Sequence, residues 1–354
     1  MPLYVLKKSD IPRFFDALPF EVALGTISTP QGITLERLTP ENMSWLTAEG
    51  PRPVESPKTA LFPVKELVAE YPGVASPRAR VGETLYIGAR ACDLAAVRIL
   101  DRIFLEGDFA DPFYAARRAL AVFVSVDCLE FSPMCFCAAV GGKPYVEKPF
   151  DLNLTPLRDC YIVEIVSDAA KQIALSRSQL LEEVTPEQVT ERDGLRRRTL
   201  EKLVRENLPP GFPVPLPPLS ETALESGDAI ALYERCVECG ACSFVCPTCH
   251  CFQLYDQASD RGENIAERIK AWDSCLYGSF ARMAGVGGAK PNPSAELRSR
   301  FANRIDHKFV WMRENLQHLG CVGCGRCTEA CLGGADLRDV LAAATGMQHE
   351  KALK

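Results

Sequence analysis

Apolar and polar positions in the first half of the chain alternate in the rhythms of a mixed α/β protein. Residues 83–88 (ETLYIG) form a short apolar run read as a buried strand. Leu94, Val97, Leu100, Ile103 and Phe104 then recur at helical spacing, with Asp93 placed to cap that helix. Leu120–Val126 (LAVFVSV) is apolar and β-rich throughout, as a strand buried on both faces should be. Strand, helix and strand make a βαβ unit, whose two strands run parallel. Cys160–Val166 reads as another strand. Thr185-Pro186-Glu187-Gln188 has a capping-box pattern with proline at the first helical position, opening a charged helix that ends near Asn207.

Six prolines then fall within residues 207–220. Such a segment is extended and semi-rigid, and it fits an interdomain linker or a strap across a surface. Beyond it the periodicity is helical, over about 221–234, 262–271, 295–303, 308–318 and 336–344. The Gly/Pro stretch 284–293 lacks the strand and helix flanks of a phosphate-binding loop and reads as a plain loop. The expected fold class is therefore α+β or mixed. An α/β domain spans 1–206, a Pro-rich linker 207–220, and an α-helical ferredoxin-type domain 221–354.

Composition sharpens this picture in a few places. A chain of 354 residues suits two domains, and 47% apolar with 24% charged residues argues against wholesale disorder. A net charge of −6 gives a nucleic-acid partner no electrostatic support. No apolar run approaches the roughly 18–20 residues needed to span a bilayer, and Met1–Asp10 has no apolar secretory core, so a cytoplasmic location is expected. Cysteine is the outlier. There are 16, and eleven follow residue 235. In a reducing compartment, cysteine at this density points to metal or redox chemistry more than to disulfides.

Cys236-x2-Cys239-x2-Cys242-x3-Cys246-Pro247 has the spacing of a bacterial ferredoxin motif, and Cys321-x2-Cys324-x2-Cys327-x3-Cys331 repeats it with Leu332 in place of proline. Three thiolates on a tight loop can face three irons of one cubane, while the fourth points to the other cluster. One [4Fe-4S] cluster is therefore expected on Cys236, Cys239, Cys242 and Cys331, and a second on Cys321, Cys324, Cys327 and Cys246. Gly240, Gly323 and Gly325 suit the close backbone approach such loops make. A structural zinc site would use four of these cysteines and leave four unexplained. Cys242-x3-Cys246-x2-Cys249 matches a radical-enzyme spacing, but its first two cysteines belong to the ferredoxin run and no aromatic precedes Cys249. Between the motifs, Cys249, Cys251 and Cys275 either line the cluster region or are simply buried.

Cys92 follows the first strand of the βαβ unit, and Cys128, Cys135 and Cys137 follow the second. Carboxyl ends of neighbouring parallel strands share the sheet edge where α/β proteins bind ligands, so these four thiols can converge. Two readings stand: unrelated buried cysteines, or a third iron-sulfur centre. Cys160 has no companion, and the four histidines are scattered. No serine-histidine-acid pattern and no nucleotide-binding glycine fingerprint appears, so the chain is expected to carry electrons without its own hydride-accepting cofactor.

The two motifs, with Cys246–Cys251 (CPTCHC), Arg268–Cys275 (RIKAWDSC) and Gly320–Cys331, resemble the iron-sulfur β subunits of cytosolic sulfhydrogenases and the related iron-sulfur subunits of anaerobic sulfite reductases. Residues 89–105, Asp111–Arg118 and Cys128–Cys137 resemble the same family's N-terminal region. The likeness runs over about residues 60–340 and departs at Leu332, where proline usually ends the second motif. It implies a cytoplasmic iron-sulfur protein of anaerobic metabolism that relays electrons within a larger complex. On one side would stand a flavoprotein subunit binding FAD and NAD(P)H. On the other would stand a catalytic partner, of hydrogenase, sulfite reductase or heterodisulfide-reductase-like type. A different class is a stand-alone iron-sulfur reductase with a substrate site in the N-terminal domain. An iron-sulfur redox sensor fits poorly with two clusters and an acidic chain.

Overall fold

The computed structural model describes residues 2–30, 32–73, 82–147, 149–221, 232–262, 264–283 and 292–347. Its strands are β1 (Leu3–Lys7), β2 (Val22–Thr29), β3 (Gly32–Arg37), β4 (Lys65–Tyr71), β5 (Thr84–Ala89), β6 (Ala121–Val126), β7 (Leu152–Pro156), β8 (Cys160–Ile165), β9 (Leu181–Glu183), β10 (Phe252–Ala258) and β11 (Ala266–Trp272). Eight of them form one sheet in the order β3-β2-β5-β6-β7-β8-β1-β9. Four neighbours, β2, β5, β6 and β7, run parallel, with antiparallel β3 on one side and β8, β1 and β9 on the other. The helix Ala91–Phe104 carries the chain from β5 to β6, so the expected βαβ unit lies at the heart of the sheet. Side-chain alternation along β5 and β6 buries both faces. Leu85, Ile87, Val124 and Val126 enter one core, while Tyr86 and Phe123 face the helix on the other side.

One local expectation is corrected here. Asp93 does not cap the helix from outside. Arg90 is the extended residue before it, and Asp93 sits one turn in, accepting the Arg90 backbone N–H at 2.9 Å. Asp93 is held there by the buried guanidinium of Arg326, 2.8 Å away. The later helix is as expected: Pro186–Asn207 starts from Thr185 with a complete capping box.

In the second part, helices occupy Leu297–Asp306, Met312–Leu316 and Leu337–Ala344. Residues 222–231 and 284–291, which hold most of the expected helix 221–234 and of the loop 284–293, lie outside the described residues. The expected helix over 262–271 is a correction, for those residues run into β11. This strand pairs antiparallel with β10 on one side and with β4 on the other. The hairpin with β10 is local, but the third strand of the sheet, β4, comes from far earlier in the chain. Lys270 on β11 reaches Glu66 on β4 at 2.8 Å and Asp111 at 2.6 Å. The second part is thus stitched to the first by a three-stranded sheet and is not wholly helical.

The proline-rich segment lies as a strap. Leu208, Phe212 and Leu216 are buried in one core with Phe136, Phe301, Phe309 and Leu341, and the Leu216 N–H donates to the Ala139 carbonyl at 2.7 Å. Among the described residues no helix is long and apolar enough to cross a membrane.

A buried ionic group fixes the helix Pro186–Asn207 against the carboxyl end of β6. Arg196 donates to Asp127 at 2.7 Å and also bonds Glu164, while Arg192 meets Glu164 at 3.0 Å. Asn153 donates to both carboxylates at 3.0 Å. Removing one member leaves charge uncompensated in the interior. Arg196→Met should therefore cost about 3–5 kcal/mol. The measurement is urea unfolding, with a lowered midpoint at unchanged slope; a midpoint equal to that of the parent chain would show that the network is not structural.

Candidate iron-sulfur centres

Each cysteine motif wraps around a glycine in the left-handed region. Gly240 (φ 73°) opens the short turn Ala241–Phe244, and Gly325 (φ 73°) opens its counterpart Arg326–Glu329. A side chain at Gly240 would run into the Tyr277 hydroxyl, which donates to the Cys239 carbonyl at 3.2 Å. Each turn carries the third cysteine of its run, Cys242 and Cys327, as a loop around a bound group requires.

The fourth cysteine of each motif lies with the other motif. Cys331 lines one cavity with Cys236 and Cys242, and it adds its charge to that of Cys239 beside Cys236. Cys239 is the exposed member of this set. Cys246 is buried against Cys321 and Cys327, near enough that its charge disfavours theirs, and Cys324 joins them. Cys327 also borders the first cavity, so the two groups of thiols adjoin.

Burial makes bare thiolates costly here. It pushes the Cys321 thiol up to about 12, against the pull of Lys308. Cys327 is driven higher in the same way, with Arg304 opposing. Cys246 is the exception. A hydrogen bond from Cys249 and, against burial, the cations Lys308 and Arg304 hold its thiol well below the usual range. Among the described residues, no three cysteine, histidine or acidic side chains close on a point that would hold a single metal ion. Thiols with raised pKa values around shared cavities fit a polynuclear iron-sulfur group, whose iron supplies the positive charge that deprotonates them.

The N-terminal thiols meet as well. Cys92 lies in the first turn after β5, Cys128 two residues past β6, and Cys135 and Cys137 in the loop before β7. All four line one narrow cavity, together with Arg52 and Cys324. Burial raises Cys128 to about 12 and drives Cys137 further, while Arg52 partly offsets the same effect on Cys135. This loop docks on the second ferredoxin motif: the Phe136 N–H donates to the Gly323 carbonyl at 2.7 Å, and the Arg52 guanidinium donates to the Cys324 carbonyl at 2.5 Å.

The remaining cysteines divide. Cys249 and Cys251 follow Cys246, and Arg304 donates to the Cys249 sulfur at 3.4 Å. Cys251 and Cys275 hydrogen-bond to each other, which together with Arg304 lowers the Cys275 thiol to about 5. Cys160 stands apart on β8, with the Gln188 amide 3.9 Å from its sulfur. Two of the histidines expected to be scattered are packed together, with the His250 and His307 rings 5.6 Å apart. Burial holds His307 down to about 4, so it is neutral.

Sequence reasoning missed the cations of this region. Arg52, Lys58, Arg304, Lys308 and Arg326 are all buried. Arg326 donates to the Pro53 and Glu55 carbonyls and pairs with Asp93, tying the second motif to the helix that carries Cys92. Among the positions that could have signalled this, the i, i+4 run Arg300, Arg304 and Lys308 was legible, but ordinary solvated charges share that spacing.

Residues 235–335 match the family of 4Fe-4S dicluster domains, a stretch that contains all eight motif cysteines. The chain is also 27% identical over 281 residues to sulfhydrogenase 2 subunit beta of Pyrococcus furiosus, covering 78% of this chain and 76% of that relative. The resemblance to sulfhydrogenase β subunits thus extends well beyond the two motifs.

Gly323 marks where the two halves touch. A Cβ there would lie 2.6 Å from the Cys137 Cα and N, on a backbone with φ of 63°. Gly323→Ala should cost about 2–5 kcal/mol, combining left-handed strain with overpacking. Gly346 has the same left-handed backbone and open space around it. Gly346→Ala is therefore the control, at about 1–2 kcal/mol. Equal unfolding midpoints for the two variants would show that this contact is loose.

Proposed function

We propose that the chain is the iron-sulfur electron-transfer subunit of a soluble multi-subunit oxidoreductase. It relays single electrons between a flavoprotein subunit that binds FAD and NAD(P)H and a catalytic redox subunit. Its functional halves are residues 1–206 and 221–354, joined by 207–220. The observation that carries this reading is the exchange of fourth cysteines: Cys331 in the cavity of the first motif and Cys246 against the second.

In this reading Cys236, Cys239, Cys242 and Cys331 hold one [4Fe-4S] cluster. Cys321, Cys324, Cys327 and Cys246 hold the other. Cys92, Cys128, Cys135 and Cys137 hold a third centre, whose cavity Cys324 also borders. Each cluster, when bound, supplies a one-electron couple. The chain's own residues position the thiolates, hold all but the exposed Cys239 buried or half-buried, and neutralise part of the thiolate charge. In this reading the N-terminal centre adjoins the second cluster through Cys324, which borders its cavity, and the second adjoins the first through Cys327. The three form a series. Splitting a hydride into single electrons needs a flavin or similar cofactor, which is why the relay needs a flavoprotein neighbour.

A second reading is an iron-sulfur reductase acting on a small molecule in the N-terminal part. One observation favours it: a cavity of about 220 Å³ opens beside Cys92 and Cys137 and is also lined by Arg98, Lys143 and His318. Turnover of a small oxidant by the purified chain with an artificial donor would support it over the relay.

The full-length chain, reconstituted anaerobically, should bind about 12 iron from its ligand count, and the quadruple Cys92, Cys128, Cys135, Cys137→Ser variant about 8. Cys246→Ser should damage the cluster of the second motif and spare that of the first. Loss of the first cluster alone would overturn the crossed ligand sets. The chain by itself should bind no FAD and oxidise no NAD(P)H, and adding the flavoprotein should restore NAD(P)H-driven reduction of its clusters. Stoichiometric flavin on the isolated chain would sink the relay assignment.

A further inference from the structure

Arg304 and Lys308 stand one helical turn apart, with 7% and 4% of their surfaces exposed. Both line the cavity of Cys236, Cys242 and Cys331. Arg304 donates to the Cys242 carbonyl at 3.0 Å and to the Ser243 hydroxyl at 3.2 Å, both within the first motif. Lys308 turns the other way. Its ammonium donates to the Gly320 carbonyl at 2.8 Å, directly before the second motif, and lies 3.5 Å from the Cys246 sulfur. Thr248 accepts from the same ammonium at 2.9 Å and donates to Gly320 at 2.7 Å, closing a ring of bonds around it.

The partners of these two cations are carbonyls, hydroxyls and sulfurs. Two cations in the interior, facing no carboxylate in those bonds, need negative charge nearby. The helix that carries them cannot withdraw them, because Phe301, Ile305 and Phe309 anchor it in the core. At Lys308 the helix widens into one π turn, His307–Trp311, a feature that recurs at functional sites.

We propose that Arg304 and Lys308 form a fixed cationic bridge between the two [4Fe-4S] clusters, raising both reduction potentials and easing entry of the second electron. The inference rests on the cluster reading above and deepens it. Each added electron makes a cluster one unit more negative. A fixed positive charge in a medium of low dielectric therefore stabilises the reduced form more than the oxidised one. A hydrogen bond to a ligand sulfur acts in the same direction. Standing between the clusters, the pair also offsets the repulsion that one reduced cluster exerts on an electron entering the other. Lys308 acts chiefly on the cluster that includes Cys246, and Arg304 chiefly on the one that includes Cys242.

The test is an EPR-monitored redox titration of the reconstituted full-length chain, with iron counted first. In Lys308→Met, the reduced-to-oxidised ratio of the Cys246 cluster at a given potential should fall at least tenfold, about 59 mV for a one-electron couple. Lys308→Arg should stay within twofold of the parent, and Arg304→Met should shift the first cluster more than the second. Where Lys308→Met does not hold its clusters, the parent chain decides, after labelling with 15N-lysine. Pulsed EPR of its reduced clusters should then show coupling to a lysine nitrogen, and absence of coupling overturns the bridge. A parent chain without clusters would overturn the functional reading and the bridge with it. A loaded Lys308→Met chain with unmoved potentials overturns the bridge alone.

Discussion

A thiol in a protein interior gives up its proton only when positive charge faces it, and this chain gathers most of its thiols around the contact of its two halves. That constraint organises much of the rest. Burial, even against the nearby cations Arg90 and Lys308, leaves Cys128 and Cys321 raised to about 12, far from any working thiolate. The positive charge comes partly from iron, in the proposed function, and partly from side chains sent in from every region of the sequence. Arg52 comes from the segment before β4, Arg304 and Lys308 from the helix after the strap, and Arg326 from the second motif itself. None of these could be solvated and still serve.

The same requirement explains why the halves interlock. A mobile second half would let water reach the cluster cavities, and the cations would lose the low dielectric that gives them reach. The structure resists this at three places. β4 from the first half completes the sheet of β10 and β11. Phe136 bonds the Gly323 carbonyl within the second motif. The strap 207–220 buries Leu208, Phe212 and Leu216 across the joint. Proline-rich composition alone left open a free linker, and the apolar residues between the prolines decide against it.

What the sequence displayed was what local spacing encodes. The βαβ unit was legible because strand and helix periods differ sharply in residues 83–126, and the helix from Pro186 because its capping box is complete. The ferredoxin motifs were legible because ligand spacing is itself the chemistry. Features that depend on distant partners were hidden. Residues 266–272 carry a pattern compatible with a helix, and it is their ladders to β10 and to the distant β4 that make them a strand. Asp93 does cap the helix, from within its first turn, but its salt bridge to Arg326, more than two hundred residues away, was hidden. The buried cations were hidden for the same reason, since burial of a lysine is a property of its neighbours.

Exposure around the proposed clusters is also unequal, and that gives the relay a direction in space. Cys239 is the exposed thiol of the sixteen, and Val237 and Leu332 stand open to solvent at 60% and 78% on the loops beside it. Leu332 occupies the position where the resembling subunits usually carry proline. The opposite end of the series, at Cys92, Cys128, Cys135 and Cys137, is enclosed by the sheet edge and the loop before β7. Single electrons can be handed between proteins only where a cluster approaches the surface. In the proposed relay, the first cluster would therefore offer the face for a protein partner, with the second cluster between it and the enclosed N-terminal thiols. An enclosed terminal centre would exchange electrons with a surface partner only through the second cluster or through the cavity beside Cys92 and Cys137. The proposed cationic pair, Arg304 and Lys308, would lie on the first of those routes.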